Sequence, residues 1–323
     1  MSRPDLAAAE LVERATNGDR RAVGRLLSLV ERGGAGAEEI AELTHLESHS
    51  SHVIGITGAP GAGKSTMVAK LVAACTAAGQ RPAVLAVDPS SPLTGGAILG
   101  DRVRMAEVDT TAFIRSVATR GHAGGLALAI PGGARVLAAA GFDPVIIETV
   151  GVGQVEVDVT AAADTTVVVV TPGMGDAVQA NKAGLLEVAD IFVVNKADRP
   201  GAGDARRDLE LMLELSHVTG QEDESYRPPI VMVNSLDGDG IAEVYDLIHT
   251  HQDHLVTSGT LHDRRCRRTR FELASRAGLR FERVLTSALD TPAVAAVIDD
   301  VAAGRATPAS GLAALTAALD APL

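Results

Sequence analysis

Lysine is almost missing from this chain. Of its 29 basic residues only Lys64, Lys70, Lys182 and Lys196 are lysine, and the rest are arginine. A lysine kept in such a chain suggests a site where a compact point charge fits and arginine's planar fork does not. Tryptophan is absent and aromatic residues make up 2%, so the core must be built from Val, Ile, Leu and Ala, for which an apolar fraction of 46% is ample. Few rings remain on which bases could stack, and a net charge of −12 is the wrong sign for a nucleic-acid surface; no nucleic-acid partner is expected. The two cysteines, Cys75 and Cys266, lie far apart and belong to no Cys-x-x-Cys pair, which offers no disulfide framework and fits a reducing cytoplasm. Long hydrophobic runs are lacking too. The stretch from Thr165 to Val170 is strand-length, so no bilayer-spanning segment is expected. The opening residues 1–5 hold no apolar signal-peptide core, and a cytoplasmic location is expected.

Helical spacing runs through residues 4–46, broken at Gly33-Gly34-Ala35-Gly36. From Val53 short β-branched runs alternate with helical stretches, and strands are expected at 53–57, 83–87, 113–114, 145–147, 165–170, 191–194 and 230–233. Near-continuous apolar strands alternating with helices predict an α/β fold with a mostly parallel sheet covered on both faces. After Gly259 strands cease and three helices follow. The expected organisation is an N-terminal helical extension (1–48), a nucleotide-binding domain (49–258) and a C-terminal helical arm (259–323).

The polar motifs fall just after strand ends, where ligands sit in such folds. Gly58-Ala59-Pro60-Gly61-Ala62-Gly63-Lys64-Ser65, with Thr66 behind it, matches G-x-x-x-x-G-K-[ST] between a strand and a helix. Its amides would cradle phosphates, Lys64 would reach the β- and γ-phosphates, and Ser65 would place its hydroxyl on Mg²⁺. Asn195-Lys196-Ala197-Asp198 reads as a guanine loop. An aspartate here can accept from guanine N1 and the 2-amino group, a donor pair adenine does not offer. In Glu148-Thr-Val-Gly151-Val-Gly-Gln154, Glu148 would hold Mg²⁺ or its waters and Gly151 would sense the γ-phosphate, while Gln154 is a candidate for positioning water. Asp88 follows a strand and Asp101 closes the long loop after it; both could serve the metal.

Asp-Pro-Ser-Ser-Pro-x-Thr-Gly-Gly-Ala-Ile-Leu-Gly-Asp-Arg (88–102), Glu-Thr-Val-Gly-Val-Gly-Gln (148–154) and Asn-Lys-Ala-Asp (195–198) together resemble the MeaB/ArgK family, G-protein chaperones of methylmalonyl-CoA mutase. The resemblance covers about residues 5–320. It implies a SIMIBI-class P-loop GTPase with slow intrinsic turnover, GTP/GDP and Mg²⁺ as ligands, a homodimer joined through the C-terminal arm, and a cobalamin-dependent acyl-CoA mutase as partner. It implies phosphate and metal roles for Lys64, Ser65, Asp88, Asp101 and Glu148, and guanine contacts for Asn195, Lys196 and Asp198. Asp176, Gln179 and Lys182 would belong to a mobile segment that relays partner binding, and Asn234-Ser235-Leu236 would form a second guanine loop through its backbone. Val155 departs from the serine common there.

Two alternatives stay open: a kinase of an amino-acid transport system, after an older family name, and a metal-insertion GTPase. The triplets His45, His49, His52 and His249, His251, His254 bear on the latter. Without Cys or clustered carboxylates nearby they are expected to be solvated helix ends. The run Arg264, Arg265, Arg267, Arg268 and Arg270 is expected to be a solvated helix face or a dimer contact, and Phe271 and Phe281 core or dimer packing.

Overall fold

The computed structural model describes residues 7–46, 51–88, 112–118, 123–149, 161–173, 188–218, 226–289 and 291–320. Its packing divides the chain into two units, Met1–Phe271 and Glu272–Leu323. The first is built on seven strands: β1 (Val53–Thr57), β2 (Ala83–Asp88), β3 (Phe113–Ala118), β4 (Val145–Thr149), β5 (Thr165–Val170), β6 (Ile191–Asn195) and β7 (Ile230–Val233). They form one sheet in the order β3-β2-β4-β1-β5-β6-β7. Every pairing is parallel, as the alternating pattern predicts.

Three helices precede the sheet: α1 (Ala8–Thr16), α2 (Arg20–Arg32) and α3 (Ala35–Thr44). Asp19 caps α2, accepting from the amides of Arg21 and Ala22 at 2.8 and 3.2 Å. Interleaved with the strands are α4 (Lys64–Ala77), α5 (Ala123–Ala139), α6 (Ala202–Val218) and α7 (Ile241–Ser258). The two-residue period of a strand sends alternate side chains to opposite faces, and the buried clusters follow it. Val53, Leu85, Val145 and Ile147 pack with α1, α2, α3 and α5. Ile54, Ile56, Ile146, Val167 and Val169 pack on the other face with α4 and α7. Val168, Val170, Phe192 and Val194 pack under α6. Val, Ile, Leu and Ala fill most of both layers, with Phe113, Phe142 and Phe192 buried among them.

Helix α8 (Thr260–Leu289) begins in the first unit and runs on into the second, which also holds α9 (Pro292–Ala302) and α10 (Pro308–Asp320). Within the second unit Gly311 lets α10 approach Val297 and Val301 of α9, and Glu272 pairs with Arg276 at 2.8 Å. Leu273, Phe281, Ile298 and Leu312 stay exposed, so Phe281 is not a core residue of this chain.

Two expectations about the polar residues need correction. His52 and His251 are not solvated helix ends: they are 3% and 0% exposed. His52 Nε2 lies 2.8 Å from Thr165 Oγ1, which lies 2.8 Å from His251 Nδ1. The arginine run is not a simple solvated face either. Arg264 bonds both oxygens of Asp190, at 2.6 and 2.8 Å, and Arg268 reaches Asp164 at 3.3 Å. Asp164 and Asp190 each accept a strand amide, Val53 N at 3.0 Å and Thr166 N at 2.7 Å, which buries the carboxylates where α8 can meet them. Arg267 and Arg270 are exposed as expected. Among the described residues no cluster of three or more His, Cys, Asp and Glu side chains is placed to hold a metal ion, and no helix is long and apolar enough to cross a membrane.

Candidate nucleotide site

Residues 58–65 leave β1 at the carboxyl edge of the sheet and turn directly into α4. The turn needs positive φ, and Gly58 (140°), Gly61 (75°) and Gly63 (90°) supply it. Two of them are glycine for a second reason. A Cβ on Gly58 would strike the carbonyl oxygen of Val169 on β5, and one on Gly63 would strike the side-chain amide of Asn195. The loop is therefore moulded against its neighbours, and it ends at the amino terminus of a 14-residue helix, whose free amides and dipole favour an anion. Ala59 and Thr66 are half-buried and Pro60 is exposed.

Lys64 is 5% exposed. Its Nζ donates to the carbonyls of Gly58 and Ala59, at 2.6 and 3.0 Å, which keeps the ammonium on the loop. Ser65 donates its hydroxyl to Glu148 Oε1 at 2.5 Å. Sheet order explains the meeting: β1 and β4 are neighbours, with Ile56 in register with Glu148, so the loop after β1 starts beside the end of β4. Below them Thr149 donates to Thr57 across the same pair at 3.1 Å. Two hard oxygen ligands touching at the phosphate end of a loop are a fitting donor set for Mg²⁺. Asp88 ends β2, the strand on the other side of β4. Its side chain lies outside the described residues, as do Asp101, Gly151, Gln154, Val155, Asp176, Gln179 and Lys182.

The guanine loop follows β6, two strands from β1. Asn195, 2% exposed, donates through Nδ2 to the carbonyl of Ala62 at 2.8 Å. Its Oδ1 accepts from the Ser235 hydroxyl at 2.8 Å and the Ser235 amide at 3.2 Å. Lys196 stands at φ 59°, the only non-glycine residue with positive φ among the described residues, and its Nζ donates to the carbonyl of Gly61 at 2.7 Å. Strain of this kind persists where surrounding bonds over-determine it and clusters at functional sites. Asp198 is exposed on the turn. Asn234 accepts from the Leu236 amide at 3.2 Å, and Leu236 is 75% exposed.

The two sequence motifs thus form one body, with Asn195 and Lys196 clasping the phosphate loop while Ser235 braces Asn195. The Ser235 hydroxyl is the part sequence reasoning missed, because it was considered only for its backbone. Nothing local to residue 235 signals a bond to a residue 40 positions earlier.

A glycine-rich strand-to-helix loop with Lys and Ser, clasped by Asn-Lys-x-Asp on a parallel sheet, defines a P-loop GTPase. The chain matches the family described as methylmalonyl Co-A mutase-associated GTPase MeaB over residues 23–290, and it belongs to that family. It is similar to a GTPase-named protein of Pyrococcus abyssi, 47% identical over 266 residues that cover 82% of each chain. It is also similar to the GTPase ArgK of Escherichia coli, 35% identical over 259 residues, 78% of each chain. A solved structure described as an LAO/AO transport system kinase superposes with a TM-score of 0.69 at 25% identity, covering 99% of this chain and all of that one. The family and its relatives make the chain a GTP-hydrolysing enzyme, as the two loops predict.

Proposed function

We propose that this GTPase is a Mg²⁺-dependent switch that acts as chaperone and gatekeeper of a cobalamin-dependent acyl-CoA mutase, methylmalonyl-CoA mutase or a relative. The observation that carries the switch is the clasp between Asn195, Lys196 and the phosphate loop, which makes base recognition and phosphate binding one structural event. The family's description supports the mutase.

In this reading residues 58–66 wrap the phosphates. Lys64 leaves the carbonyls of Gly58 and Ala59 for the β- and γ-phosphates, where a point charge stabilises the charge developing in transfer. Ser65 and Glu148, with Asp88 and Asp101, would hold Mg²⁺, which would neutralise phosphate charge. Asp198 reads the guanine edge, Asn195 its neighbouring atoms, and the Lys196 stem covers its face; residues 234–236 close the base pocket. Gly151 reports the γ-phosphate and Gln154 orients water. Turnover in isolation is slow, and contact with the partner supplies the further stabilisation that speeds it.

Residues 259–323 serve as the dimer arm in this reading, beside an extension at 1–48 and a GTPase domain at 49–258. The apolar residues left exposed on 272–323 support that assignment, since such a face is normally covered. A kinase reading, after the name of the similar solved structure, leaves Asp198 without a purpose, because adenine has no donor pair for it. The test is a pull-down from cell extract with the protein loaded with a non-hydrolysable GTP analogue. A cobalamin-dependent mutase subunit is expected on the beads, and its absence with both GTP- and GDP-loaded protein would overturn the partner assignment.

A further inference from the structure

The amino edge of the sheet, opposite the nucleotide, holds a buried polar chain that the GTPase reading does not use. It runs His52–Thr165–His251–Asp190–Arg264, drawing on the lead-in to β1, the first residue of β5, helix α7, the residue before β6 and the second turn of α8. We propose that these five residues form a proton-set latch that holds the root of α8 against the sheet, closed while the His52 ring is neutral and released when it takes up a proton.

The bonding order follows from donor counting. His251 Nε2 faces Asp190 Oδ1 at 3.3 Å, too poorly aligned for a full hydrogen bond, and a ring nitrogen facing a carboxylate carries the proton. His251 Nδ1 is then bare and accepts the Thr165 hydroxyl at 2.8 Å. Having donated its one proton, Thr165 Oγ1 accepts from His52 Nε2 at 2.8 Å. Each link in this order has one donor and one acceptor. Asp190 is closed on its far side by the bidentate Arg264, at 2.6 and 2.8 Å. Burial works against its charge, but the bonds from His251 and Arg264 outweigh that and hold its carboxyl below the ordinary value.

A further proton has no good place. On His52 it would sit on Nδ1, which is buried with no hydrogen-bond partner among the described residues. The charged and titratable groups facing His52 are Asp164 before β5, His249 and His251 on α7, and Arg265 on α8; Asp143 before β4 accepts from its amide. Those facing His251 are Asp190, Tyr226, His254 and, through Asp190, Arg264. Asp164 and Asp190 already carry Arg264, Arg265 and Arg268. A new cation therefore adds to the arginines, and the repulsion falls on the helix that bears them.

Burial, with smaller repulsions from His251, His249 and Arg265 and an opposing pull from Asp164, pushes His52 from 6.5 down to about 4. The closed latch thus binds fewer protons than the released one. Its advantage is complete above pH 6.5 and is lost as pH falls from 6.5 towards 4. The closed-to-released ratio is therefore expected to fall as the pH is lowered from neutral through this range.

The native cysteines provide the probe. Cys75 is buried and Cys266 exposed, so a thiol-reactive trifluoromethyl tag on the full chain reports from α8 between Arg264 and Arg268. The fluorine line is expected to narrow between pH 7.5 and 5.0 while the far-UV circular dichroism holds. His52→Gln keeps an Nε2 donor for Thr165 but takes up no proton, and should stay broad at pH 5. Arg264→Gln should be narrow already at pH 7.5. A wild-type line that stays broad at pH 5, a His52→Gln line that titrates like wild type, or narrowing that tracks loss of the dichroism would overturn the proposal. Should His52→Gln fail to fold, the ¹⁵N shifts of His52 in the wild type decide. A neutral ring protonated on Nε2 at pH 7 supports the latch, and a ring protonated on Nδ1 or on both nitrogens overturns it.

Discussion

Asp198→Asn is expected to weaken GTP binding by about 10²–10⁴-fold and to turn the preference towards xanthosine triphosphate. The magnitude comes from two hydrogen bonds between a charged acceptor and guanine, each about 1.5–3 kcal/mol, at about 1.4 kcal/mol per tenfold. Asparagine presents an amide N–H where guanine presents its own donor, whereas xanthine carries an oxygen there and accepts it. The variant should fold normally. Asp198 is exposed, and the loop around it is held by Lys196 on Gly61 and by the Ala197 amide on the Val233 carbonyl, at 2.7 and 3.0 Å. Titration calorimetry with both nucleotides checks it, and unchanged GTP affinity would remove the guanine assignment.

Lys64→Ala is expected to lower the hydrolysis rate by about 10²–10³-fold or more, the cost of removing one electrostatic donor from a preorganised site. The folding cost should be small, because the change strips one donor from the carbonyls of Gly58 and Ala59, at about 1–3 kcal/mol. Lys64→Arg is the sharper form of the same experiment. The ammonium fits between two carbonyls of a tight loop, and a planar guanidinium does not match that pocket. Arginine should therefore rescue little of the activity despite restoring the charge, with single-turnover phosphate release as the readout. A fully active Lys64→Arg enzyme would show that charge alone suffices there, and that the near-absence of lysine carries no information about the site.

Strands were the most legible part of the fold. The runs at 53–57, 165–170 and 230–233 are strands with those bounds, because near-continuous β-branched segments flanked by turn residues admit no other element. Gly79 and Gly141, just past the ends of α4 and α5, adopt the positive φ that stops a helix. Both nucleotide loops were readable because their chemistry requires a fixed spacing of residue types. The latch was not. His52, Thr165, Asp190, His251 and Arg264 are separated by up to 113 positions between bonded partners, and they share no period or motif. Each alone resembles a surface residue, and only the parallel sheet order brings the starts of β1, β5 and β6 side by side. The arginine run was misread for the same reason, since its partners Asp164 and Asp190 lie before strands where carboxylates usually face water.

The most direct test of the account is competitive titration of GTP and ATP into the purified protein with Mg²⁺ present. The clasp of Asn195 and Lys196 on the phosphate loop, with Asp198 beyond it, predicts that GTP binds at least about 10²-fold tighter. ATP binding as tight as GTP would contradict the guanine site and the switch built on it.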